Sequence, residues 1–103
     1  MIARMWHGAV HREKADAYLQ YLKRVPVPDL RATAGNQGVT VLREDDATRS
    51  HFVVISFWES REAIRAFAGD DLEKARYYPE DADYLLEMEP RVTHYEVLAS
   101  PEG

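Results

Sequence analysis

An α+β fold follows from this sequence: one four-stranded antiparallel sheet with its helices on a single face. Three observations predict it. The chain has 103 residues, room for one hydrophobic core, so residues 1–103 are expected to form a single domain. Its apolar patterning changes period in the order strand, helix, strand, strand, helix, strand. The run Phe52-Val53-Val54-Ile55-Ser56-Phe57-Trp58 is β-branched or aromatic almost throughout, as a central strand covered on both faces would be.

Ile2 to Val10 reads as the first strand. Ile2, Arg4, Trp6, Gly8 and Val10 share one face, and Ala3, Met5, His7 and Ala9 the other. Neither face is cleanly polar, and Gly8 marks a bend, a bulge or a close backbone approach. Glu13 to about Val25 is the first helix, with Ala15, Tyr18, Leu19, Leu22 and Val25 on its apolar stripe. Pro26 and Pro28 are expected to end it, leaving Asp29 to Gln37 as a connection. Val39 to Arg43 is a short second strand. Glu44-Asp45-Asp46 then turns the chain into the third, from Ser50 or His51 to Trp58.

Ser60 can cap the second helix, which runs from Arg61 to Phe67 or Ala68 and is broken by Gly69. Asp70 is placed to cap a further short helix ending near Tyr77 or Tyr78. Pro79 to Asp83 reads as a turn, and Val92 to Leu98 as the fourth strand. The stretch from Asp70 to Glu89 is acid-rich, which suits a solvated face or an acidic docking surface. This order is the split βαβ arrangement, the ferredoxin-like βαββαβ fold. Two short helices cover one sheet face only. The other face carries Trp6, Val54 and Trp58 or their alternating neighbours, too apolar to stay wet, and a second copy laid sheet against sheet is expected to bury it.

Composition narrows the functions. No cysteine is present, which excludes thiolate catalysis and thiolate metal sites. A formal charge of −5 argues against nucleic acid and against anionic membrane as partners. No apolar run is long enough to span a membrane, and the first residues do not read as a signal peptide, so a cytoplasmic location is the default expectation. Phosphate-binding glycine loops, zinc-hydrolase motifs and nucleophile elbows are missing.

At Phe57-Trp58-Glu59-Ser60-Arg61-Glu62-Ala63-Ile64, followed by Phe67-Ala68-Gly69, the sequence resembles the antibiotic biosynthesis monooxygenase family of the dimeric α/β-barrel superfamily. Trp6 on the first strand, Tyr18 on the first helix and the closing Thr93-His94-Tyr95-Glu96-Val97 fit the same pattern. The resemblance implies a homodimer in which two sheets face each other. It also implies a substrate held between sheet and helices, with cofactor-free members oxidising anthrone-like phenols to quinones with dioxygen. A haem-degrading branch uses an asparagine on the first strand, a tryptophan in the second helix and a later histidine ligand. Those positions fall on His7, Phe67 and Tyr77, and this chain departs from the branch at all three.

His7 is the candidate catalytic base. Its neighbours Ala3, Met5 and Ala9 leave space above the strand, and imidazole titrates near neutral pH. The other reading is a histidine hydrogen-bonded within a packed interior. Tyr18, Trp58, Phe67, Leu72 and Tyr77 are the candidate substrate-binding residues: aromatic faces for stacking, phenolic donors for a developing oxyanion, and apolar walls. Arg65 and Arg76 are candidates for an anionic group. The four histidines show no close ligand spacing, so no metal is expected, and no cofactor is implied. The function expected is a cofactor-independent monooxygenase acting on a planar phenolic or anthrone-like molecule with dioxygen. The alternative is a non-enzymatic small-ligand binding or accessory protein of the same fold.

Overall fold

The structure, a computed structural model, describes residues 1–101. Four strands, β1 (Ile2–His11), β2 (Asn36–Asp45), β3 (Arg49–Trp58) and β4 (Thr93–Glu96), form one antiparallel sheet in the order β2-β3-β1-β4. The expected ferredoxin-like, four-stranded arrangement is met. Three helices, α1 (Ala15–Arg24), α2 (Pro26–Ala32) and α3 (Arg61–Ala68), pack on one face of the sheet. β3 alternates as its sequence demands. Phe52, Val54, Ser56 and Trp58 are buried beneath the helices, while His51, Val53, Ile55 and Phe57 are half-buried on the open face. In register with them on that face lie Ala3, Met5, His7 and Ala9 of β1 and Thr40 and Leu42 of β2. Trp6, Val54 and Trp58 therefore belong to the helix side, and it is their alternating neighbours that face outward.

The helical region after β1 differs from its sequence reading. It opens with a 3₁₀ turn at Arg12–Lys14 and breaks at Val25, whose φ of −119° and ψ of −72° depart from helical values. Pro26 and Pro28 then begin α2 rather than leading into a loop. The reason is elementary: N–H groups in a helix's first turn have no intrahelical acceptor, so prolines there forfeit no bond. β2 is longer than expected and carries a bulge between Asn36 and Gly38, where the Asn36 side chain accepts the Gly38 N–H at 2.9 Å. β4 is shorter, at four residues.

α3 follows its reading. Ser60 Oγ accepts the Ala63 N–H at 3.2 Å, and Gly69 ends the helix at φ 85°. The helix expected after Asp70 does not form, because its carbonyls serve other partners. Arg4 donates to the carbonyls of Leu72 and Lys74 at 2.8 and 3.1 Å, and Val92 N–H donates to that of Glu73 at 2.8 Å. From Asp70 to Val92 the chain runs as extended coil and turns, interrupted by a 3₁₀ turn at Pro79–Asp83. Among the described residues no helix is long and apolar enough to cross a membrane.

Candidate functional site

Between sheet and helices lies a cavity of about 50 Å³. β1 sends Arg4 and Trp6 into it, and β3 sends Val54 and Ser56. Tyr18 and Leu22 come from α1, Pro26 and Leu30 from α2, and Phe67 from α3; Arg76, Tyr78 and Asp81 close it from the coil after α3. Local sequence explains the placement. Arg4 and Trp6 occupy the inward-alternating positions of β1. Gly8, two residues on, leaves room for the Trp6 ring: a Cβ there would lie 2.3 Å from it and 2.9 Å from the Leu85 side chain. Asp81 is fixed by the turn Tyr78-Pro79-Glu80-Asp81, in which its Oδ2 accepts the Tyr78 N–H at 2.6 Å.

The polar groups here are unusual. Trp6 Nε1 and the Tyr18 hydroxyl are buried without a well-aligned hydrogen bond, the Trp6 N–H lying beside the Tyr77 hydroxyl. Burial, reinforced by the Asp81 charge, raises the Tyr18 pKa well above that of free phenol, so it remains a donor across the physiological range. Asp81 is itself 4% exposed, and burial raises its carboxyl above the usual carboxylate range. The buried Tyr21 hydroxyl lies beside this carboxylate without a well-aligned hydrogen bond. Arg76 spans the Phe67 and Tyr78 rings, 4.7 and 5.1 Å from their centres, and pairs with Asp29 at 3.4 Å. Two buried donors and one buried carboxylate thus surround a mostly aromatic space. Such a set can hold a planar ring, take a proton from it and stabilise negative charge on its oxygen.

Of the residues expected from sequence, Tyr18, Phe67 and Arg76 line the cavity, and Arg65 does not. Trp58 stands behind Phe67, ring centres 6.3 Å apart, with its indole N–H donated to Ser56 Oγ at 2.9 Å. Leu72 supplies its carbonyl to Arg4, and Tyr77 donates its hydroxyl to the Glu89 carbonyl at 2.5 Å while its ring meets Trp6 edge-on. Neither Leu72 nor Tyr77 lines the cavity.

His7 is placed on the opposite face of the sheet. Its position follows from strand alternation: with Trp6 pointing toward the helices, its neighbour points away. There His7 Nδ1 bonds the Glu89 carboxylate, and its Nε2 lies 3.2 Å from His51 Nδ1. The two ring centres are 5.4 Å apart with 19° between the ring planes. His51 Nε2 in turn meets Asp46 at 2.9 Å and holds that carboxyl well below the usual range. The sheet separates this chain of groups from the cavity.

Arg4 and Asp81 were not singled out from sequence. A charged residue between Ile2 and Trp6 on an inward-facing strand position is the signal for the first. A proline followed by acids after Tyr78, the pattern of a capped turn, is the signal for the second.

The model of the antibiotic biosynthesis monooxygenase family matches residues 1–76. The chain belongs to that family. Among solved structures, a Nitrosomonas europaea protein named for antibiotic biosynthesis monooxygenase is similar at 22% identity and TM-score 0.66, over 96% of this chain and all of that one. A Bacillus cereus protein named likewise is similar at 17% identity and TM-score 0.62, over 96% of this chain and 94% of that one. The heme-degrader MhuD of Mycobacterium tuberculosis, solved with two hemes in its active site, is similar at 18% identity and TM-score 0.60, over 97% and 98% of the two chains. At these identities the structural likeness speaks for the fold. No curated protein matches the chain.

The MhuD likeness raises haem, and the lining argues against it here. No histidine lines the cavity, so imidazole is missing as an axial ligand. The two phenols that do line it, Tyr18 and Tyr78, both resist ionising to tyrosinate, because burial raises the pKa of each. Among the described residues no group of three His, Asp or Glu side chains is arranged to hold a metal ion.

Proposed function

We propose that this family member binds a planar phenolic or anthrone-like molecule in the helix-side cavity and, as a homodimer, oxidises it with dioxygen. The observation that supports this reading is the unpartnered buried hydroxyl of Tyr18, with Trp6 and the buried carboxylate of Asp81 in the same cavity. An unsatisfied buried donor costs about 1–3 kcal/mol, which a ligand oxygen would recover. A carboxyl whose pKa is raised by burial is also a better general base than an exposed one.

Asp81 takes a proton from the ring methylene. Tyr18 and Trp6 donate to the ring oxygen on which the resulting negative charge settles. The delocalised carbanion passes one electron to dioxygen, the two radicals combine, and the peroxide formed takes back the proton held by Asp81. The hydroperoxide loses water to leave a carbonyl. One methylene and one dioxygen become one carbonyl and one water, with the substrate as the sole reductant. Asp81 here replaces His7 as the base, because the sheet stands between His7 and this space.

The volume sets a condition. About 50 Å³ is well short of the roughly 300 Å³ at which ordinary ligand pockets begin. A three-ring ligand enters only if a wall moves. The coil from Asp70 to Val92 carries Arg76, Tyr78 and Asp81 and has little regular structure, so it is the wall assigned to that movement. The homodimer closes the dimeric α/β barrel by covering Met5, Val53, Ile55 and Phe57 on the open face.

Oxygen uptake across a panel of anthrones and hydroquinones tests the reading. Consumption above the uncatalysed rate is expected for at least one planar phenol. Saturable binding without consumption would replace the oxygenase by a small-ligand binding protein.

A further inference from the structure

Arg4 is a buried charge without a counter-charge. Only 4% of the residue is exposed, yet no Asp or Glu among the described residues forms an ion pair with it. Its hydrogen-bond partners are neutral: the carbonyls of Leu72 and Lys74, and His94 Nε2 at 3.4 Å. The face of Phe67 lies 5.7 Å away. Burial lowers its pKa to about 10, so it still carries its full charge at neutral pH. Its Nε and one Nη2 hydrogen have no acceptor among the described residues.

Buried charges in proteins are ordinarily paired. The two other charges at the cavity do not serve. Arg76 is a second cation, already paired with Asp29, and Asp81 makes no ion pair with Arg4. Burial is the sole cause of the Arg4 shift, so no carboxylate acts on it strongly. The cavity therefore has a cationic end at Arg4 and an acid end where Asp81 meets Tyr18 and Tyr21.

We propose that the cavity selects ligands bearing a carboxylate on the planar ring system, with Arg4 as the specificity residue that receives it. This rests on the functional reading above and adds the charge class and orientation of the ligand. The acid group points to Arg4 and the reacting methylene to Asp81. The geometry matches the residue type: a guanidinium held by two backbone carbonyls keeps its planar fork fixed for a carboxylate.

The test uses two probes of nearly equal shape, anthraquinone-2-carboxylate and anthraquinone-2-carboxamide, with binding to the full chain followed by quenching of tryptophan fluorescence. The carboxylate should bind about 10- to 100-fold more tightly, the range for a hydrogen bond to a charged group. Arg4→Gln should bring the carboxylate-to-carboxamide affinity ratio to about one, a discrimination that a purely structural Arg4 would not produce. Arg4→Lys should keep part of it, having the charge but not the fork. Should Arg4→Gln lose its fold along with the clamp on Leu72 and Lys74, the wild-type ratio and Arg4→Lys still decide. Equal wild-type affinities, or an undiminished preference in a folded Arg4→Gln protein, would overturn this proposal and leave the functional reading standing. No binding of either probe would overturn both.

Discussion

At the scale of single residues, one cavity position and one open-face position make opposite predictions. Asp81 has a folded-state pKa raised by burial. For an acid shifted upward, the folding advantage belongs to the protonated form. It is complete below the unfolded pKa and is lost as pH rises through the folded one. At pH 7 the Asp81 charge is thus a cost to the fold. Asp81→Asn keeps an oxygen for the Tyr78 N–H and removes that charge. The variant is expected to be at least as stable as wild type at pH 7, by urea midpoint, while kcat/KM for oxygen uptake falls roughly 10²–10⁴-fold. In the wild type, kcat/KM should rise with pH through a pKa above the ordinary aspartate range. His7→Ala should leave kcat/KM unchanged, because the sheet stands between His7 and the cavity. A reversal, with Asp81→Asn fully active and His7→Ala inactive, would return the base to the open face.

At the scale of elements, β1 was legible in nearly every detail because alternation is a backbone property that needs no tertiary information. Which face held the site was not legible, since both faces of β1 are largely apolar. Gly8 tests the answer. Its added Cβ would collide with Trp6 and Leu85. Overpacking costs about 1–3 kcal/mol, against about 0.4–1 kcal/mol that alanine returns by restricting the unfolded chain. Gly8→Ala should lower the urea midpoint and change the tryptophan emission. An unaltered midpoint would show that the Trp6 ring does not lie along β1. The coil after α3 was the least legible element. Its sequence can support a helix, but the carbonyls of Leu72, Glu73 and Lys74 are taken by Arg4 and Val92, residues remote in sequence.

At the scale of the molecule, the open sheet face carries the prediction. Met5, Val53, Ile55 and Phe57 form a half-buried apolar stripe flanked by the exposed Leu42 and Tyr95. Light scattering at micromolar concentration should give twice the 11.9 kDa chain mass. Phe57→Glu should return the monomer mass with the fold intact by circular dichroism, because Phe57 faces away from the cavity. A wild-type protein that is folded at the monomer mass would remove the facing-sheet dimer.

What the sequence alone determined is periodic or local: strand faces, the apolar stripe of α1, the Ser60 cap and Gly69 stop of α3, and through these the fold and its family resemblance. What only the tertiary structure decided is which face the helices cover, and with it the site. Packing selected the face of Trp6 and Trp58, placed His7 outside, buried Asp81 from a segment that reads as solvated, and enclosed the charge of Arg4 without a partner. The physical reason is range. Hydrogen-bonded periodicity is written within a few neighbouring residues, whereas burial and charge pairing depend on what the whole chain brings alongside.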